Sequence, residues 1–202
     1  GVDDCYSYDY FSDFVGEVSE SGCDTFIVHA RKAWLSGLSP KENRDIPELR
    51  YDWVLRLKQE HPELTLSING GITTVEQALD LLQPLDGVML GRAAYHNPWI
   101  LSELQSALFG TPGVQDRDEA VELMSRYLAR QTALGVPAKN ISRHLLGLFQ
   151  GLPGAKRWRR YISENAHLDA ANSCLLAQAH EHMRRGIAIP AGSAIVHGES
   201  IE

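Results

Sequence analysis

The stretch that decides the fold is "LTLSINGGITTVEQA", residues 64–78. An apolar, alternating run from Leu64 to Ile68 stops at Asn69-Gly70-Gly71, and a helical pattern begins within three residues. A strand that leads directly into a helix is the repeating step of parallel α/β folds. Two glycines at such a junction either allow a tight loop or let a ligand lie directly against the backbone.

Two further apolar segments, residues 24–29 and 86–91, predict short strands of the same kind. Because these strands are almost wholly apolar, we expect them to be buried on both faces and to form a parallel sheet. Thr73 and Glu76 predict a capping box for the helix after the glycines. The helices that complete an α-β-α-β-α-β-α order are predicted at residues 7–22, 51–61, 74–83 and 97–110.

The character of the chain changes after residue 110. Residues 111–117 predict a linker, and residues 118–186 contain helical patterns alone. The tail, 187–202, has no clear periodicity and is predicted to be loose. The sequence therefore predicts an α/β part, 1–110, followed by a helical part whose helices span 118–134, 140–150, 154–168 and 173–185.

Composition is that of an ordinary soluble globular protein, with 202 residues, 44% hydrophobic and 22% charged. No apolar run is long enough for a membrane span, and the first residues, "GVDDCYSYDY", lack the regions of a signal peptide. Three widely spaced cysteines (Cys5, Cys23, Cys174) form no metal pattern and favour a reducing compartment. We expect a cytoplasmic protein without a metal site.

Polar or glycine residues follow each predicted strand at its carboxyl end. In parallel sheets and barrels ligands bind at that edge, where glycines and a following helix can receive a phosphate. The arrangement predicts a phosphate site, with the tight-loop explanation of the glycines as the alternative. His29 is either a donor to a ligand or a histidine satisfied by neighbouring backbone. The candidates are His29, Asn69, Gly70, Gly71, Gly91 and Arg92.

A basic run contrasts with the net charge of −7, which by itself argues against a nucleic-acid partner. Residues 139–160 carry six cations and no acidic residue. On a helix over 155–165, Lys156, Arg157, Arg159 and Arg160 cover one arc of about 160°, and Trp158 faces the other way. A solvated basic surface is the usual fate of such charges. Cations without i,i+4 acidic partners repel one another, however, so a polyanion such as RNA is the predicted partner.

Four segments resemble the C-terminal half of A-type tRNA-dihydrouridine synthases. They are "HARKAWLSGLSPKENR" (29–44), "SINGGI" (67–72), "DGVMLGRAAYHNP" (86–98) and "GLFQGLPGAKRWRRYISENAH" (147–167). The resemblance runs from residue 1 to about 186 and implies the last three βα units of an FMN-binding TIM barrel, followed by an all-α bundle that binds tRNA. It also implies reduction of the C5–C6 double bond of D-arm uridines, with NADPH recharging the flavin.

Residue roles follow from the same resemblance. It implies that His29 approaches the flavin or the target base, and that Asn69, Gly70, Gly71, Gly91 and Arg92 hold the FMN phosphate. It implies tRNA contacts at Asn43, Arg44, Arg157 and Arg160. No DNA or membrane partner is expected, and the full-length protein is expected to be a monomer.

The chain departs from the family pattern in one large respect. Its three predicted strands fall well short of an eight-stranded barrel. The family's flavin-binding lysine has no match here. Its protonating cysteine has none either, since none of the three cysteines stands at the catalytic position. We therefore expect a fragment that is inactive by itself.

Two other classes of function stay open at this point. One is a different phosphate-ligand or FMN barrel enzyme, which would explain the glycines but not the basic helical part. The other is a non-catalytic RNA-binding protein that uses only the helical part. FMN binding without RNA binding favours the first, and salt-dependent tRNA binding without flavin favours the second.

Overall fold

The structure is a computed structural model that describes residues 1–111 and 113–186. The chain divides into two compact units, Gly1–Gly113 and Val114–Glu202. The division falls inside the segment predicted as a linker. The tail predicted to be loose, 187–202, lies outside the described residues.

The first unit alternates helices with strands, as the apolar patterns predict. The predicted strands and the four predicted helices are all present, each within a few residues of its expected bounds. Two short helices, Glu42–Asp45 and Arg92–His96, were not predicted, because a single turn is too short to show a helical period. The order is α1 Tyr8–Glu20, β1 Thr25–His29, α2 Glu42–Asp45, α3 Tyr51–Glu60, β2 Thr65–Asn69, α4 Val75–Leu82, β3 Gly87–Met89, α5 Arg92–His96 and α6 Ile100–Phe109.

The three strands form one parallel sheet in the order β1-β2-β3, which confirms the predicted parallel arrangement. In this register His29 lies opposite Asn69, and Asn69 lies opposite Met89. The carboxyl ends of all three strands therefore meet at one edge.

The two faces of this sheet differ in burial. Leu66 and Ile68 of β2 point to the face that packs on the helices, and both are fully buried. On the other face Ile27 is 63% exposed and Met89 is 44% exposed. The prediction of strands buried on both faces was thus wrong for the described residues, because nothing among them covers the second face.

The cap of α4 lies one residue later than predicted. The hydroxyl of Thr74, not that of Thr73, accepts the N–H of Gln77 at 3.2 Å. Gln77, not Glu76, reaches back, and its Oε1 accepts the N–H of Thr73 at 3.0 Å. The Thr73–Glu76 capping box was wrong because the helix begins at Val75, which shifts the pair by one position.

The second unit contains helices joined by turns, with no strand in its described part, Val114–Gly186. The predicted helix at 140–150 was wrong in extent, since the helical turns end at Leu145 and a series of turns follows. Gly147 and Gly151 weaken a helix there, and Gly151 has a positive φ of 81°. The elements are α7 Arg117–Ala133, α8 Ala138–Ser142, a 3-10 turn Arg143–Leu145, α9 Ala155–Asn165 and α10 Leu175–Arg185.

The core of the second unit is centred on Trp158 of α9. Its side chain is fully buried, as the helical arc predicts. The indole Nε1–H donates to the carbonyl of Leu145 at 2.8 Å, so its polar atom is satisfied. The ring of Phe149 packs edge-on against it, with centroids 5.0 Å apart.

Candidate functional site

A depression of about 580 Å³ lies at the carboxyl edge of the sheet. Its walls come from the ends of β1, β2 and β3 and from the long loop between β1 and α3. It brings together the six residues predicted for the cofactor and one predicted for RNA, namely His29, Asn69, Gly70, Gly71, Gly91, Arg92 and Arg44.

Three side chains form a row across the top of the sheet. Thr25, Ile27 and His29 share the exposed face of β1, since side chains alternate along a strand. The register places His29, Asn69 and Met89 side by side on that face, on strands about 4.8 Å apart. An imidazole, an amide and a thioether thus line one row. Met89 was missed by sequence reasoning, and only the strand register identifies it.

The two adjacent glycines have a structural reason of their own. Gly70 and Gly71 both have positive φ values, 121° and 71°. A Cβ added at Gly71 would lie 2.5 Å from Cδ1 of Leu49, and the hydroxyl of Tyr51 donates to the carbonyl of Gly70. The tight-loop alternative therefore accounts for this pair without any ligand.

Gly91 is different. Its φ is −108°, and a Cβ added there would meet no heavy atom within 4 Å. Neither a positive φ nor packing among the described residues requires glycine at this position. The open space above its backbone leaves room for a ligand to approach closely.

Arg92 is already engaged with the long loop. Its guanidinium donates to Oδ1 of Asp45 at 2.6 Å and to the carbonyl of Arg44 at 3.1 Å. The hydrogen bond from Arg92 lowers the pKa of the Asp45 carboxyl, so the aspartate is ionised at neutral pH. Asp45 was missed by sequence reasoning, because its partner Arg92 lies 47 positions away in the chain.

His29 has the electrostatics of a neutral imidazole. Burial lowers its pKa, and the nearby charges of Arg31 and Arg92 lower it further. A lowered histidine pKa means that the ring is neutral near pH 7, with one N–H donor and one acceptor nitrogen. Within residues 1–111 and 113–186 no hydrogen bond to its ring is found. The alternative of a histidine satisfied by backbone is therefore not seen in this part of the chain.

The residues predicted for RNA in the long loop have unlike environments. Oδ1 of Asn43 accepts the N–H of Trp34, and its Nδ2 donates to the carbonyl of Trp34, both at 2.7 Å. Its amide also reaches the carbonyl of Leu38 at 3.4 Å. Asn43 thus holds the loop in shape, which the prediction of an RNA contact did not foresee. Arg44 is exposed at the rim of the depression.

The basic helix α9 presents most of its cations to solvent. Lys156, Arg157 and Arg160 are exposed, and they line a depression of about 290 Å³ together with Gly154 and Gly186. No acidic residue of the described part of the chain lines this depression, so the three cations converge there without a neighbouring negative charge in its wall.

The expectation that these cations forgo i,i+4 pairing was wrong for one of them. Nε of Arg160 donates to Oε1 of Glu164 at 2.7 Å, because Glu164 lies one turn beyond the basic run. Arg159 donates to the side chain of Gln150 at 2.7 Å. For Lys156 and Arg157 no ion pair is found within the described part of the chain.

Other classes of site leave no trace in the described residues. Among 1–111 and 113–186 no group of three or more His, Cys, Asp or Glu side chains could hold a metal ion. The described helices include none with the length and apolarity to cross a membrane. Cys5, Cys23 and Cys174 are free thiols, and none of them lines the depression at the sheet edge.

Comparison with known proteins identifies relatives of this chain. The sequence is 49% identical over 185 residues to tRNA-dihydrouridine(20/20a) synthase of Shewanella oneidensis, which covers 91% of this chain and 55% of that protein. The protein of the same name from Salmonella typhi is 51% identical over 181 residues, or 89% of this chain and 54% of the relative. That from Vibrio parahaemolyticus is 54% identical over 169 residues, or 83% and 52%.

The chain thus spans about half the length of the curated relatives that it matches. The sequence profile of the family described as "Dihydrouridine synthase (Dus)" matches residues 1–184, nearly the whole chain. The protein therefore belongs to the dihydrouridine synthase family.

Proposed function

We propose that this chain forms part of a flavin-dependent tRNA-dihydrouridine synthase, which reduces the C5–C6 double bond of D-arm uridines with FMN and NADPH. The observation that carries the proposal is the convergence of six separately predicted residues on one depression at the sheet edge. A family match over residues 1–184 supports it independently.

The residues of the depression fit an FMN phosphate. Gly91 leaves open space beside the backbone, and Arg92 supplies a guanidinium whose fork geometry suits a phosphate. Gly70 and Gly71 shape the loop next to them. When bound, FMN would supply the hydride chemistry, and this chain would bind and orient it.

His29 and its row would face the reacting rings. A neutral imidazole can donate a hydrogen bond to a ring carbonyl, which stabilises negative charge that develops on its oxygen. Asn69 beside it offers an amide donor and acceptor. The group that protonates the uracil carbon is not one of the three cysteines described above. We propose that the 202-residue chain is inactive without further barrel elements.

The parallel sheet and its helices fit part of a barrel. We propose that the three βα units are the last three of a TIM barrel, whose interior is lined by the exposed face of the sheet. The helical unit would bind tRNA through Lys156, Arg157 and Arg160, with Arg44 as a contact from the barrel. The complete enzyme would be a cytoplasmic monomer.

Binding of labelled tRNA to the purified chain across a salt series tests the RNA part of the proposal. Arg157→Ala/Arg160→Ala should weaken binding and reduce the slope of log K against log salt by about 2, roughly one per lost phosphate contact. A charge-matched control, Arg126→Ala/Arg130→Ala on α7, should leave the slope unchanged. Equal effects of the two pairs would contradict a specific tRNA surface on α9.

Titration with FMN, followed by flavin fluorescence, separates the remaining alternatives. FMN binding without salt-dependent tRNA binding would favour a different FMN barrel enzyme. Salt-dependent tRNA binding without FMN binding would favour an RNA-binding protein that uses the helical unit. Binding of both ligands supports the synthase.

A further inference from the structure

We infer that Asp45 stands in for the ligand anion at Arg92, so that a phosphate entering the depression displaces Asp45 and frees the loop that carries Arg44. This inference rests on the proposed phosphate site and deepens it, because it links the site to the rim residue predicted to meet tRNA. It assigns Asp45 the part of a positioning residue, acting through Arg92.

Arg92 and Asp45 form an ion pair that is exposed to solvent. Nη1 of Arg92 lies 2.6 Å from Oδ1 of Asp45, and the side chains of both residues are 47% exposed. A carboxylate and a phosphate offer a guanidinium the same kind of oxygen acceptor. Asp45 therefore already occupies the cation that a phosphate would use. An ion pair this exposed contributes little stability, so a ligand can replace it at small cost.

The ion pair between Arg92 and Asp45 holds the Arg44–Asp45 segment of the long loop in place. Arg92 follows β3, whereas Asp45 ends α2 in the long loop, 47 residues earlier in the chain. Nη2 of Arg92 also donates to the carbonyl of Arg44 at 3.1 Å. The same guanidinium thus fixes the Arg44–Asp45 segment by its backbone and by its carboxylate. When Arg92 turns to a phosphate, the segment loses both contacts.

Hydrogen bonds from Arg31 hold the end of this segment independently of Arg92. Nη1 of Arg31 donates to the carbonyl of Asp45 at 3.3 Å and to the carbonyl of Pro47. Arg31 does not line the depression, so a ligand there does not compete for it. The loop would therefore swing about the Asp45–Pro47 attachment and would not detach.

Little core packing holds α2, so little resists its movement. None of the four residues of α2 is buried, and Ile46 next to it is 63% exposed. The first buried side chain after α2 is that of Pro47. Polar contacts, not core packing, thus set the position of the segment, and such segments open most easily.

A coupling of this kind is reciprocal. If a phosphate at Arg92 frees the Arg44 segment, then any partner that draws Arg44 away from Arg92 raises the affinity for the phosphate by the same factor. The flavin phosphate and an RNA backbone contact at Arg44 would therefore assist each other through Asp45.

The test uses Asp45→Asn, which keeps the size of the side chain and removes its charge. We expect its affinity for inorganic phosphate to rise about 5-fold or more over that of the parent chain, measured by calorimetric titration. Asp45→Glu keeps the charge and should bind phosphate as the parent does. Glu48→Gln removes the same charge from an exposed loop residue outside the depression, and should leave the affinity unchanged.

Limited trypsin digestion reads the loop directly, because Lys41 and Arg44 are cleavage sites. Phosphate should speed cleavage there in the parent chain, whereas Asp45→Asn, which keeps only the Arg92 contact to the Arg44 carbonyl, should already be cleaved faster than the parent without phosphate. Circular dichroism confirms that each variant is folded. Unchanged phosphate affinity in Asp45→Asn, or cleavage of the parent chain that ignores phosphate, would overturn the inference.

Repeating the titration with FMN separates this inference from the proposed function. A phosphate response without any FMN binding would support the part assigned to Asp45 and sink the flavin proposal. FMN binding with equal affinity in the parent chain and in Asp45→Asn would support the flavin proposal and overturn the part assigned to Asp45.

Discussion

The glycines at the sheet edge differ in why they are glycines. Sequence reasoning grouped Gly70, Gly71 and Gly91 into one phosphate site. The structure separates them, since the first two are required by positive φ and by the closeness of Leu49, whereas Gly91 is free of both constraints. That these residues meet at one edge could be predicted, because strand ends converge in parallel sheets. The reason for each glycine could not, because it depends on backbone angles and on a contact across the loop.

This difference predicts opposite outcomes for two alanine substitutions. Gly71→Ala should destabilise the chain by about 1–2 kcal/mol from its left-handed backbone alone, and the contact with Leu49 adds to that. Gly91→Ala should change the free energy of unfolding by less than about 1 kcal/mol, yet weaken phosphate binding, because the methyl group fills the open space. Urea denaturation and phosphate titration of both variants provide the measurement. A Gly91→Ala chain that binds phosphate normally would contradict a ligand lying against that backbone.

Residues that act through others escaped the sequence altogether. Asp45 was not singled out because its importance lies in a contact to a residue 47 positions away. Asn43 was assigned to RNA, although its amide holds the backbone of its own loop. Long-range and loop-internal hydrogen bonds leave no local pattern that a sequence can display.

At the scale of elements, strands and long helices were predictable because each repeats a pattern over many residues. The exceptions have local causes. One-turn helices such as α2 and α5 show no period, and glycine interrupts the segment predicted at 140–150. The cap of α4 was displaced by one position, since two adjacent threonines both qualify and only the first helical residue decides between them.

Asp86, directly before β3, connects α3 and β2 at the amino end of the sheet. Its carboxylate lies 2.8 Å from Nζ of Lys58 on α3 and accepts the N–H of Leu66 on β2, also at 2.8 Å. The hydrogen bond from Lys58, followed by that from Leu66, lowers the pKa of Asp86. A carboxyl whose folded pKa is depressed stabilises the fold at pH above its unfolded value, and that stabilisation is lost as pH falls through the folded pKa.

We therefore expect Asp86→Asn to lower stability at pH 7 by about 1 kcal/mol and to lose less as the solution is acidified. The difference between parent and variant should shrink below about pH 4, where the Asp86 carboxyl of the unfolded chain begins to bind protons while that of the folded chain is still ionised. Urea midpoints measured from pH 7 to pH 3 check this. Asp13→Asn, on the exposed surface of α1, is the matched control and should keep the parent's pH dependence. A constant difference across the range would contradict the pairing.

For the molecule as a whole, the exposed sheet face matters most. Ile27 and Met89 lie on a face that nothing in the described residues covers, and the curated relatives are about twice as long as the matched region. Exposed apolar faces promote association. The number of strands indicated an incomplete barrel, because three strands cannot close one, whereas the apolar pattern of each strand led to the wrong expectation of burial on both faces.

Ile27→Lys should therefore reduce self-association of the isolated chain while leaving its stability nearly unchanged, since the side chain is already 63% exposed. Light scattering over a concentration series gives the measurement. Leu134→Lys alters a residue that is 77% exposed in the other unit, and should leave association as it is. If both variants associate as the parent chain does, the sheet face is not the contact surface.

The buried Trp158 also equips the molecule with an optical reporter. Residues 114–202 contain no other tryptophan, whereas Trp34, Trp53 and Trp99 lie in the first unit. An indole fully shielded from water, with its N–H bound to a carbonyl, should emit at shorter wavelength than a solvated one. Replacing the other three by phenylalanine would leave a fluorescence signal that follows unfolding of the helical unit alone. The melting transition of the helical unit could then be compared with that of the whole chain, followed by circular dichroism.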